Sequence, residues 1–120
     1  MRILVCGGRD FPHRDLVHDW LDSFHEAQPV TELIHGGASG VDTYAAEWGR
    51  ERGLRVFCCK ADWEKHGPAA GPIRNARMLE WKPDVVIAFP GGRGTENMVS
   101  LAMKAGVIVE IPFDSVVFDL

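Results

Sequence analysis

Short apolar runs alternate with amphipathic stretches along the chain. Ile3 to Cys6 is apolar, rich in strand formers and stops at Gly7-Gly8, which predicts a first strand. From His13 to Ala27, apolar residues fall at Leu16, Val17, Trp20, Leu21 and Phe24, the spacing of one helical face. Asp10 or Pro12 starts this helix, and Pro29 lies just beyond its end. Thr31 to His35 reads as a second strand that stops at Gly36-Gly37. A helix follows over Gly40 to Arg52 and closes at Gly53. Leu54 to Cys59 is a third strand, Lys60 to Pro72 a loop, and Ile73 to Trp81 a helix ended by Pro83. Asp84 to Phe89 is the most apolar strand. The segment Pro90 to Thr95 breaks it, Glu96 to Ala105 is the last helix, and Val107 to Ile111 is a fifth strand. Asp114 to Leu120 is a tail with some strand character.

Strict alternation of strand and helix predicts a mainly parallel five-stranded sheet with helices on both faces, an α/β Rossmann-like doubly wound arrangement. The 120 residues suit one domain, and no linker, repeat or low-complexity segment divides them. With 46% hydrophobic and 25% charged residues the chain is neither disordered nor membrane-spanning. The net charge of −4 argues against a non-specific nucleic-acid binder. Cys6, Cys58 and Cys59 all sit in apolar runs and read as buried free thiols. Reduced thiols and the absence of a signal segment point to the cytoplasm.

Ligands of open α/β sheets bind beyond the carboxyl ends of the strands. Three glycine-rich segments fall there: Gly7-Gly8-Arg9-Asp10, Gly36-Gly37-Ala38-Ser39-Gly40 and Gly91-Gly92-Arg93-Gly94-Thr95. Glycine lets the backbone approach an anion, and free N–H groups at a helix start favour negative charge. Ser39 and Thr95 add hydroxyls that donate or cap. No segment matches the Walker pattern, and none gives the dinucleotide fingerprint with its downstream acid. Arg9, Arg74, Arg77 and Arg93 are candidates for phosphate recognition; Arg74 and Arg77 stand one helical turn apart. Asp42, Glu96 and Asp10 are the candidate acids, each also explained as a first-turn or capping residue. Trp63 and His66, in the long loop, are the candidates for covering a base. His35 ends the second strand and reads as structural. No metal-ligand cluster is present, and neither a metal nor a cofactor is expected. Trp20, Trp48 and Trp81 are more tryptophan than one small core needs, leaving open a homodimer face or simple core burial.

Taken together, Gly7 to Phe11, His35 to Asp42, Gly71 to Met78 and Pro90 to Thr95 resemble the SLOG superfamily, in its YspA-type, YpsA-related branch. The resemblance runs from residue 1 to about residue 112 and implies a Rossmannoid fold that binds nucleotides or molecules derived from them. The superfamily includes LOG-type phosphoribohydrolases, which release a base from nucleoside 5′-monophosphates, and DprA-type proteins, which bind single-stranded DNA. The LOG-type motif is PGGxGTxxE with an arginine on the preceding helix. Pro90 to Thr95 match its first six positions, and Arg74 looks like the arginine. Met98 stands where the motif has its glutamate, and Glu96 lies two residues early, about 200° around the helix. The binding half of the motif is therefore present and the catalytic half incomplete. The leading expectation is a sensor or binding module for a small nucleotide-derived ligand. The alternatives are an N-glycosidic-bond hydrolase using Asp42, Asp10 or Glu96, and a single-strand binder of the DprA kind, which the acidic total disfavours.

Overall fold

The computed structural model describes residues 1–114. Five strands form one parallel sheet: β1 (Arg2–Cys6), β2 (Glu32–His35), β3 (Arg55–Cys58), β4 (Val85–Ala88) and β5 (Ile108–Glu110). Their order is β3-β2-β1-β4-β5, so the strand order reverses between β1 and β4. Helices α1 (Arg14–Ala27) and α2 (Val41–Glu51) cover one face. Helices α4 (Ala70–Glu80) and α5 (Arg93–Lys104) cover the other, and short α3 (Trp63–His66) precedes α4. The α/β, Rossmann-like expectation holds.

The pleat explains why the central strands β1 and β4 are apolar on both faces. Ile3 and Val5 of β1, with Val85 and Ile87 of β4, face Val17, Leu21, Ala45 and Trp48. Leu4 and Cys6, with Val86 and Ala88, face Met78, Met98 and Ala102. A strand covered on both faces has no polar side to present. Trp48 is fully buried and gives its indole N–H to Asp22 Oδ1 at 2.9 Å. Trp20 packs on Phe24 and Phe89, and Trp81 on Phe57, so all three tryptophans are used within the chain.

The structure corrects three sequence expectations. Residues 60–72 are not simply a loop: Asp62 caps α3 by accepting from Lys65 N at 3.1 Å, a 3₁₀ turn spans Gly67–Ala69, and α4 begins at Ala70. Gly71 and Pro72 hid this start, although a first turn tolerates a missing N–H. In the same way α5 begins at Arg93, three residues before Glu96, with Gly94 inside its first turn. Of the cysteines only Cys6 is buried; Cys58 is exposed and Cys59 half-buried, because β3 is an edge strand. Most of the predicted tail, residues 115–120, lies outside the described residues.

The loops at the carboxyl edge are bonded to one another. Gly8 N donates to Pro90 O at 2.8 Å, and Val41 N donates to Gly8 O at 3.2 Å. A Cβ on Gly91 would strike Thr95 Oγ1 and lie 2.8 Å from Gly8 N. Gly40, at φ +71°, would drive a Cβ into the carbonyls of Gly8 and Arg9. These two glycines serve contact between backbones, whereas Gly92 and Gly94 face open space. Gly91→Ala and Gly40→Ala are therefore expected to lower the unfolding free energy by about 1–3 kcal/mol, and Gly92→Ala to leave it near the parent value. Urea denaturation followed by tryptophan fluorescence measures all three. Equal midpoints for Gly91→Ala and Gly92→Ala would contradict the assignment.

Candidate functional site

A cleft of about 500 Å³ opens where the loops after β1 and β4 diverge. Gly7, Gly8, Arg9 and Asp10 come from the first loop, Gly36 and Ala38 from the second, and Asp42 from the first turn of α2. Trp63 of α3, Arg74 and Asn75 of α4, and Gly92, Arg93, Gly94, Thr95 and Asn97 at the start of α5 complete the wall. Cys6 and Met78 also line it. This is the position where doubly wound sheets hold their ligands.

A larger hollow, about 680 Å³, lies across Pro90, Gly91 and Thr95, against α5 and residues 111–114. Its lining is mainly apolar, and Glu96 faces it. We place the site in the smaller cleft because the charged groups converge there. Glu96 is thereby separated from Arg74 and Asp42. Arg77 is exposed and, like His66, stands outside the cleft wall. Gly37, Ser39, Gly40 and Gly91 do not line the cleft; the Ser39 hydroxyl donates to Arg9 O at 3.4 Å, and Gly91 lines the larger hollow.

The start of α5 is the strongest donor array. A helix leaves its first N–H groups unpaired, and Gly92, as the capping residue, has no side chain to satisfy them. The amides of Arg93, Gly94 and Thr95 thus carry the positive end of the helix dipole. Asn75 braces this turn: its amide donates to Gly94 O at 3.2 Å and to Asn97 Oδ1 at 3.0 Å. Asn75 in turn accepts from Arg74 Nε at 2.9 Å, and Arg74 Nη1 donates to Gly36 O at 2.6 Å. The Arg74 guanidinium is held by these two bonds, and among the described residues its remaining N–H groups meet no acceptor. Neither Asn75 nor Asn97 was picked out from the sequence. An amide inside a helix adds nothing to the apolar period; its low helix propensity was the available signal.

The second loop is built differently. Asp42 Oδ2 accepts from Gly36 N and Ala38 N, each at 3.1 Å, and His35 Nδ1 accepts from Gly37 N at 3.0 Å. Three successive N–H groups therefore turn inward. Burial raises the Asp42 carboxyl to about 6, against the opposing pull of these N–H groups and of Arg74. Burial lowers His35 to about 4, helped by Arg50 and Arg74. Burial, with the nearby Asp42 charge, also pushes the Cys6 thiol well up, so it is a neutral lining group.

Trp63 is half-exposed at the rim, with the Arg9 guanidinium 5.9 Å from its ring centroid and Gly71 behind it. Met98 has no exposure and packs with Leu4, Cys6 and Met78, so the position of the motif glutamate belongs to the core. Among the described residues, no three side chains of metal-ligating type converge, and no helix is long and apolar enough to cross a membrane.

A model of the YspA, cpYpsA-related SLOG family (YAcAr) matches residues 1–66, more than half of the chain. The chain belongs to this family. It is also 40% identical over 116 residues to the Gene 61 protein of Mycobacterium phage D29, covering 90% of this chain and 93% of that one. The YspA-type resemblance read from the motifs is thus shown. The matched part of the family model holds β1 to α3, with the first two glycine segments and Asp42.

The two shifted groups act oppositely on stability. Asp42, raised in the folded state, binds more protons than in the unfolded chain between pH 4 and 6, so its contribution falls as pH rises through that window. His35, lowered from 6.5, binds fewer, so its contribution rises with pH between about 4 and 6.5. Asp42→Asn is expected to leave a melting temperature that climbs between pH 4 and 6.5, and His35→Gln one that declines between pH 4 and 6. Calorimetric melting of both variants across this range checks the signs, and identical profiles would refute them.

Proposed function

We propose that the cleft binds a small, phosphate-bearing nucleotide or nucleotide-derived ligand, and that the protein acts as a binding or sensing module. The observation that carries this reading is the uncapped start of α5, with Gly92 and Gly94 open to the cleft and Arg74 and Arg93 beside it. A phosphate would take the free N–H groups, and the guanidinium edges would add charge-assisted bonds. Trp63 offers a flat surface for a base, backed by Arg9. Three arginines against two aspartates line the wall, a balance suited to one or two phosphates rather than to a polyanion.

The test is equilibrium dialysis of the pure protein against nucleoside monophosphates, ADP-ribose, NAD and cyclic nucleotides. Retention of an intact member is expected. Arg93→Ala, at the exposed rim, should weaken it about ten- to a hundredfold, the range for a hydrogen bond to a charged group. Retention of none, with salt-sensitive binding of single-stranded DNA instead, would overturn the reading.

One observation favours hydrolysis as a second reading. Asp42 places a buried carboxyl, raised to about 6, in the cleft wall near Arg74, where no acid is supplied at position 98. Such a group suits general acid–base work near neutral pH. In that case free base should accumulate in the same dialysis experiment and disappear in Asp42→Asn. A panel recovered unchanged leaves binding alone.

A further inference from the structure

We propose that Asp42 is the sugar-hydroxyl acceptor of the cleft and makes the protein select ribonucleotides over their 2′-deoxy counterparts. The inference rests on the nucleotide reading above but concerns a different wall. The two sides of the cleft have opposite polarity. At α5 the open groups are donors: helix N–H groups, guanidinium edges and the remaining amide hydrogens of Asn97. At the second loop three donors are spent, since Gly36 N, Gly37 N and Ala38 N all bond inward, and Val41 N, at the start of α2, bonds to Gly8 O. The N–H groups of that glycine turn are thus not offered to an anion.

What that side does present is Asp42 Oδ1. Both loop bonds go to Oδ2, no donor among the described residues engages Oδ1, and Asp42 lines the cleft although only 5% of it is exposed. A desolvated carboxylate oxygen seeks a donor from a ligand, and repels phosphate. A nucleotide with its phosphate at α5 and its base on Trp63 carries such donors between the two, on its sugar. The loop bonds fix the carboxylate, so the acceptor is in place before binding. Asp10, the other acid of the wall, is exposed and gains less from a hydroxyl.

The experiment is isothermal titration of the full chain with the four ribonucleoside 5′-monophosphates, their 2′-deoxy counterparts and inorganic phosphate. For each base that binds, the ribonucleotide is expected to bind about ten- to a hundredfold more tightly. Asp42→Asn should erase that ratio by bringing the ribonucleotide down to the deoxy level. The Gly36 and Ala38 N–H groups hold the amide oxygen inward and turn its NH₂ to the cleft, a donor where an acceptor stood. Affinity for inorganic phosphate should not fall in this variant, and should rise where the carboxylate charge had opposed it, whereas Arg93→Ala should lower it. A parent ratio near one, with phosphate still bound, overturns the selection proposal alone and needs no variant. A ratio that survives in folded Asp42→Asn assigns selection to another group and also overturns it. Failure of every probe, phosphate included, overturns the nucleotide reading and this proposal with it.

Discussion

The structure depends on the backbone contact between the loops that leave β1 and β4. Two adjacent parallel strands send their chains to opposite faces, and a gap opens between the departing loops. Here Gly8 N and Pro90 O bridge the base of that gap, and Gly91 has no side chain to force it wider. The second loop joins by Gly40 against Gly8 and Arg9. Three loops are thereby joined by two backbone contacts, and the groups in the cleft inherit their positions from them. The glycine content of these segments is first a packing requirement; only Gly92 and Gly94 are left for a ligand.

On that base stand two side-chain braces of opposite sense. Asn75 ties α4 to the first turn of α5 and leaves donors facing the cleft. Asp42 ties up the donors of the second loop and leaves an acceptor. Arg74 connects the two, through Asn75 Oδ1 on one side and Gly36 O on the other. Polarity in the cleft thus comes from which atoms are consumed internally, not from the residue types alone.

Much of the fold was legible because each strand is an apolar run bounded by glycine or proline. The helix starts at Ala70 and Arg93 were not, since Gly71, Pro72 and Gly94 read as loop although a first turn accepts them. In the site, the sequence pointed to Arg9, Asp42, Trp63, Arg74, Gly92 and Gly94, and the structure brings these residues together in the wall of one cleft. It did not separate Glu96 or Arg77 from them, because the facing of a helix follows from where the helix begins. Asn75 and Asn97 stayed hidden, as their meaning lies in partners about 20 residues away. The inward turn of Gly36, Gly37 and Ala38 was also invisible, since a glycine run looks alike whether its amides face ligand or protein.

The burial of Met98 has a consequence for how chemistry can evolve on this scaffold. A side chain at that position is enclosed by Leu4, Cys6, Met78 and Ala88, and its thioether fills space beneath the sheet. Replacing it with an acid would strand a carboxyl among apolar neighbours, at a cost of about 2–7 kcal/mol where no partner meets it, a large share of a small protein's stability. A glutamate at this position would therefore need its neighbours Cys6 and Met78, which also line the cleft, to make way for it or supply it with a route to the cleft, whereas a change at the exposed rim needs no such rearrangement.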